Sequence, residues 1–145
     1  MVEQYLQKHD IPYRHSLVTT EDGYKLIMHR LLNKEEEENK EKESSNTPSK
    51  RGTRSTTSSK PTKTPILFLH GMFESSAMAL SHGLNSLPII LSKSQNHAVY
   101  LGNIRRNMYG LQHSHISPWN SSEFFNFDIT HHANYDFPAM VDKIL

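Results

Sequence analysis

Cysteine is missing altogether from the 145 residues, which excludes disulfides and leaves the redox compartment open. Long apolar runs are missing too. No window approaches eighteen apolar residues, so no segment is expected to span a membrane. The opening M-V-E-Q-Y-L-Q-K-H-D has no basic stretch followed by an apolar one, so no signal-peptide pattern is visible and the localisation is unknown. A surplus of either charge is lacking as well: the net charge of +1 exerts no global pull toward nucleic acid or anionic membrane, and no nucleic-acid partner is expected. Hydrophobic residues amount to only 35%. The deficit sits mostly in one segment of about thirty residues, leaving a foldable remainder of about 110.

Arg14 to Leu32 reads as a β-hairpin. Leu17 and Val18 lead into Thr19-Thr20, Glu21-Asp22-Gly23 supplies turn chemistry, and Gly23 is free to take positive φ. On the return arm Tyr24, Leu26, Met28 and Arg30 alternate imperfectly with Lys25, Ile27, His29 and Leu31. His29 is expected to be a half-buried strand residue, not a ligand. Residues 33–63 then change character, from the mixed-charge run Lys34 to Glu43 to a Ser/Thr-rich stretch whose only charges are basic. Too little apolar surface exists there to offset ordering entropy, so a disordered insertion is expected. No aromatic interleaves its basic residues to stack on bases.

The fold restarts at P-I-L-F-L-H-G-M-F-E-S-S, residues 65 to 76. Ile66 to Leu69 is a continuous apolar run without alternation, which predicts a strand buried on both faces, as in parallel sheets. His70-Gly71 stops it where its carboxyl end should open onto a ligand-facing loop. A short helix is expected around Pro88 to Ser94, with Pro88 in its first turn, followed by the strand His97 to Leu101. Two strands joined by a helical crossover form a β-α-β unit.

Gly102 to Ser122 is long for a connector and reads as a functional loop. It contains His113-x-His115, which with His131-His132 raises the question of a metal. With no cysteine and no carboxylate at ligand spacing, no metal site is expected. Asn120-Ser121-Ser122 is a glycosylation sequon that matters only in the secretory pathway. At the end, Thr130 or Asp136 is expected to cap a final helix with Met140, Val141, Ile144 and Leu145 on its apolar face, and Pro138 to lie in a first turn or mark a kink. The apolar pattern is still running at Leu145, which reads as a fragment or a crossing into further sequence.

The turn V-T-T-E-D-G-Y-K-L with His29-Arg30, the strand-loop L-F-L-H-G-M with Ser75-Ser76, L-G-N-I-R-R-N at 101 to 107, and E-F-F-N-F with Y-D-F-P-A-M-V-D-K-I-L occur in a characteristic order. Together they resemble the N-terminal portion of the acid lipase family, α/β-hydrolases that include gastric and lysosomal lipases. The resemblance covers the chain apart from its first ten or so residues and the insertion. It implies an incomplete α/β-hydrolase fold: an N-terminal β-hairpin in residues 1–32, the insertion 33–63, then parallel β-α-β strands and a terminal helix in 64–145, without the nucleophile strand or lid.

By the same resemblance the backbone N–H of Met72 is one donor of an oxyanion hole, and His70 and Gly71 shape its loop. Such a donor matters because acyl transfer builds negative charge on the carbonyl oxygen, and losing one side-chain donor costs about 10²- to 10³-fold in rate. Arg106 stands where relatives tend to carry Gly; if the position needs positive φ, it would store about 1–3 kcal/mol of strain. No G-x-S-x-G elbow occurs in the chain, and Ser75 and Ser76 do not replace it. The reading is therefore the N-terminal part of a lipid ester hydrolase, taking a triglyceride or steryl ester, with no cofactor and the triad beyond Leu145, inactive by itself. Peripheral contact with a lipid surface stays open. A non-catalytic lipase-like binding or interaction module is the competing class.

Overall fold

The computed structural model describes residues 1–38 and 63–145. Its centre is the hairpin of β1 (Tyr13–Thr19) and β2 (Tyr24–Leu31), antiparallel from Tyr13 opposite Leu31 to Thr19 opposite Lys25. Gly23 sits in the turn at φ +96°, and a Cβ there would fall 2.8 Å from the His113 ring, so both conformation and space demand glycine. β3 (Thr64–Phe68) runs parallel to β4 (His97–Leu101), and helix α2 (Leu87–Ser92) lies between them with Pro88 in its first turn. β4 also pairs antiparallel with β2, and a two-residue β5 (Gln112–His113) joins β2 near the hairpin turn. The result is a mixed sheet in the order β1-β2-β4-β3, with helices packed on it, an α/β architecture.

β2 explains why its alternation looked imperfect. Tyr24, Leu26 and Met28 enter one apolar cluster with Val18, Phe124 and Met140, while Leu31 and Ile27 enter another with Val2, Leu6, Leu80, Ile89, Val99 and Leu101. A strand covered on both faces needs no polar side. Each fully buried Leu or Ile contributes about 1.5–3 kcal/mol, and helix α1 (Val2–Lys8) delivers two such anchors, Val2 and Leu6.

Three expectations need correction. β3 is not buried on both faces: Thr64 and Pro65 are exposed and Ile66 to Phe68 only half-buried, because among the described residues β3 has one ladder partner, β4. His29 is fully buried, not half-buried; its Nε2 lies 2.7 Å from Glu3 on α1, and its ring meets Tyr109 edge-on. The helical segment near the C-terminus is capped by Asp128, whose carboxylate accepts from the Thr130 N–H at 2.9 Å. Neither Thr130 nor Asp136 caps it. The segment passes through Ile129–His131 and a π-helical stretch, His132–Asp136, into α3 (Phe137–Ile144), with Pro138 in the first turn of α3.

Most of the insertion, residues 39–62, lies outside the described residues, so its expected disorder has no structural counterpart here. Residues 34–38 at its start are helical. Asn33 and Glu36 form a reciprocal capping pair: the Asn33 side chain accepts from the Glu36 N–H at 2.9 Å, and Glu36 accepts from the Asn33 N–H at 3.2 Å. Glu36 also holds Arg30 at 2.7 Å. Among the described residues no helix is long and apolar enough to cross a membrane.

Candidate active site

The chain leaves β3 at Leu69 and turns at His70-Gly71 beside the carboxyl end of β4, where the Gly102 N–H is bonded to the Phe68 carbonyl at 2.9 Å. The turn is tight. The Glu74 N–H reaches back to the Gly71 carbonyl at 3.3 Å, the Glu74 carboxylate accepts from the Gly71 N–H at 3.1 Å, and Phe73 takes φ +64°. Between these fixed points the Met72 N–H has no acceptor among the described residues, and its side chain is exposed.

His70 is held at both ring nitrogens. Nδ1 lies 2.7 Å from the Gly71 carbonyl, and Nε2 is 3.2 Å from the Ile104 N–H and 2.9 Å from Asn107 Nδ2. Two donors at Nε2 and an acceptor at Nδ1 fix a neutral tautomer with its proton on Nδ1. With both nitrogens committed, His70 braces the loop and has no free lone pair with which to act as a base.

The second half of the brace comes from the loop after β4. Asn103, fully buried, accepts from the Ser76 N–H at 2.9 Å and from Asn107 Nδ2 at 3.0 Å, and donates to the Ile27 carbonyl at 2.9 Å. One side chain thus ties β2, the His70 loop and the β4 loop together. Ser75 caps the 3₁₀ turn Ser76–Leu80 through its own hydroxyl, and Ser76 is buried at the turn's start. Neither serine stands on a strand-to-helix elbow.

Arg105 is the residue that pattern reading missed. Its side chain is fully buried and grips two carboxylates: Asp136 from Nε at 2.9 Å and Nη2 at 2.7 Å, and Asp22 in the hairpin turn from Nη1 at 2.7 Å and Nη2 at 3.0 Å. The guanidinium also lies 3.9 Å from the centre of the Tyr24 ring. Burial works to raise the Asp22 carboxyl, but hydrogen bonds from Arg105 and Thr20 outweigh it and hold the group below the usual carboxylate range. Its partners lie 83 and 31 residues away in sequence, so no local pattern announces them.

Arg106, its neighbour, sits at φ +79°. The glycine-favouring conformation foreseen at this position is real, at a cost of about 1–3 kcal/mol. Its guanidinium lies 5.5 Å from the Phe73 ring, so two non-glycine residues with positive φ meet across the loop.

These elements line a groove of about 700 Å³. The His70 loop forms one wall, the Ile104-to-Met108 segment another, and Phe127 to Ile129 the third. Met72, Met78, Met108 and Ile129 present apolar surface to it, and its volume falls in the range of small-molecule sites.

The histidine pair lies elsewhere. His113 Nε2 is 2.8 Å from the Asp22 carbonyl, and its Nδ1 accepts from the N–H groups of His115 and Ile116 at 3.1 Å each, which makes it a backbone clip. His131 and His132 pair with Asp128 and Asp136. Among the described residues no cluster of three or more His, Cys, Asp or Glu is arranged to hold a metal. Asn120 is exposed in the turn before the 3₁₀ stretch Ser122–Phe125 and is not among the groove residues.

A mixed sheet with helices packed on it, and a braced His-Gly loop at a strand's carboxyl end, define an α/β scaffold with a groove beside that loop. The chain belongs to the family described as the partial alpha/beta-hydrolase lipase region, whose model matches residues 2–83. It is similar to Lipase 1 of Drosophila melanogaster, 33% identical over 128 residues, which is 88% of this chain and 23% of that protein. Lipase member K of Homo sapiens is 28% identical over 99% of this chain and 31% of its own length. Human gastric triacylglycerol lipase is 35% identical over 88% of this chain and 27% of its own length. The chain spans about a quarter to a third of the relatives it matches.

Proposed function

We propose that this chain supplies the oxyanion-hole side of a lipid ester hydrolase, with the Met72 N–H as the main-chain donor and His70, Gly71 and Asn107 as its scaffold. The carrying observation is that the Met72 N–H has no acceptor among the described residues, while the groups on either side of it are tied down. A donor fixed before the reaction costs no reorganisation as charge develops on the substrate oxygen. The apolar groove beside it suits the acyl part of a neutral lipid such as a triglyceride or steryl ester.

Hydrolysis by such a site proceeds through a serine nucleophile and an acyl-enzyme resolved by water. No G-x-S-x-G elbow occurs in these 145 residues, so the chain alone is inactive. The same fact favours the second reading, a lipase-like binding module that uses the groove without turnover. Purified chain should release no p-nitrophenol from a medium-chain p-nitrophenyl ester, and turnover abolished by a serine-directed phosphonate would overturn the claim of inactivity. The donor itself is tested by amide NMR: a long-chain alkyl phosphonate titrated into the chain should shift the Met72 N–H more than the Gly71 N–H. An unmoved Met72 would remove its role.

A further inference from the structure

The chain has six methionines, and the fold sorts them by place. Met28 and Met140 are core side chains, 2% and 0% exposed. Met1 is exposed at the start of α1 and is not among the groove residues. The other three, Met72, Met78 and Met108, all line the groove and are 58%, 50% and 55% exposed. They come from the turn after His70-Gly71, the 3₁₀ turn Ser76–Leu80 and the loop after β4, so the fold gathers them. Leucine would supply similar apolar surface at each position. Methionine differs in two respects: its unbranched side chain adapts to the shape of a ligand, and its thioether sulfur can be oxidised. A sulfoxide is polar, so side chains that now offer a ligand apolar contact would then offer it a dipole. Glu74, Arg106 and Asp128, the charged groups along the groove walls, keep their charges through that change.

We propose that Met72, Met78 and Met108 form a reversible oxidation site that lowers the affinity of the groove for an apolar acyl ligand. The proposal rests on the lipid reading of the groove and adds a means of switching it. In the step, a lone pair of the methionine sulfur attacks one oxygen of hydrogen peroxide. The S–O bond forms as the O–O bond breaks, the sulfur gives up two electrons to become a sulfoxide, and the remaining peroxide oxygen leaves as water. Return to the thioether needs a thiol reductant acting through methionine sulfoxide reductases, one enzyme for each sulfoxide epimer. An acyl chain packed on a sulfoxide strips water from it without supplying a donor, which weakens binding about tenfold. A ligand already in place covers the three sulfurs and slows their oxidation.

The test follows two quantities: binding of methyl 11-(dansylamino)undecanoate, an uncharged acyl probe, by fluorescence, and oxidation of each methionine by peptide mass spectrometry. Dilute hydrogen peroxide should oxidise Met72, Met78 and Met108 well before Met28 and Met140, with Met1 as the exposed reference outside the groove. Probe affinity should fall about tenfold with the circular dichroism spectrum unchanged, and both sulfoxide reductases with dithiothreitol should restore it. Saturating probe should slow oxidation of the three groove methionines and leave Met1 unaffected. In the triple variant Met72→Leu, Met78→Leu, Met108→Leu, compared only with itself before treatment, peroxide should leave affinity unchanged. Affinity that survives full oxidation of the three, an equal fall in the triple variant, or equal protection of Met1 by the probe overturns the proposal while the lipid groove stands. So does a loss of affinity that tracks a loss of the circular dichroism signal, since unfolding would then be its cause. A parent chain that binds no probe before oxidation overturns both.

Discussion

Replacing Arg105 by methionine removes a buried cation and leaves two carboxylates behind, one of them with no route to water. Asp136 is fully buried and takes three hydrogen bonds from Arg105, through the backbone N–H at 3.1 Å, Nε at 2.9 Å and Nη2 at 2.7 Å. The backbone bond and the contact with His132 Nδ1 at 2.9 Å survive the substitution; the two side-chain bonds from Arg105 do not. Asp22 retains Thr20, at 2.6 Å, and about a quarter of its side chain faces solvent, so it is the lesser loss. Breaking a buried pair from one side costs about 3–5 kcal/mol, and the contact with Tyr24 adds about 0.5–2 kcal/mol. Against a total domain stability of about 5–15 kcal/mol, Arg105→Met should be strongly destabilised or unfolded. Urea denaturation followed by circular dichroism reads the loss as a lower midpoint at unchanged slope. Adding Asp136→Asn to Arg105→Met removes the stranded charge and should recover at least about 1 kcal/mol. A single mutant within about 1 kcal/mol of the parent, or a double mutant no better than the single, would refute the clamp.

Arg106→Gly should be more stable than Arg106→Ala by about 1 kcal/mol, since only glycine relieves the positive φ while both lose the Phe73 contact; equal melting midpoints would argue against strain. His29 supplies a pH dependence. Burial lowers its pKa despite the hydrogen bond to Glu3, and Glu3 itself, which burial alone would raise, is held low by His29. The unfolded state therefore takes up protons first, and stability should fall as pH drops below about 6.5, first through His29 and then through Glu3. His29→Gln should flatten the slope of the urea midpoint between about pH 7 and pH 5, and an unchanged slope would place the titrating group elsewhere. Asn103→Leu strips partners from the Ser76 N–H and the Ile27 carbonyl at a cost of about 1–3 kcal/mol per stranded group, and faster hydrogen exchange at Ser76 and Ile104 would show the His70 loop loosening.

What could be read in the sequence is what short spacing encodes. The Thr19-to-Gly23 turn, the apolar run into His70-Gly71, Pro88 in a first turn and the strand at His97 are all decided by residues within a few positions of one another. The residues that were misjudged answer to distant neighbours. Asp136 stands where a helix cap would, yet its carboxylate belongs to Arg105, and the capping passes to Asp128. His29 looked like an ordinary strand position because Glu3, the group that permits its full burial, lies 26 residues upstream. Ile66 to Phe68 carries the composition of an interior strand, but burial depends on what flanks it, and the described sheet flanks it on one side only. Asn103 and Asn107 were visible as a motif. Their work as amide staples between two loops was not, because Ile27, Ser76 and His70 lie 76, 27 and 37 residues away in sequence.

The order of the sheet has a consequence for what holds β3 in place. β2 and β3 are separated in sequence by the long polar segment but meet through β4, which hydrogen-bonds to both. The relative place of β2 and β3 is thus set by ladder bonds at residues 29–31, 64–68 and 97–101 and not by the segment that joins them in sequence. The loop after β4 is fixed in the opposite way, side chain by side chain: within three consecutive residues Arg105 reaches the hairpin turn and Asn107 reaches His70, so an insertion between them would pull one of the two off its partner.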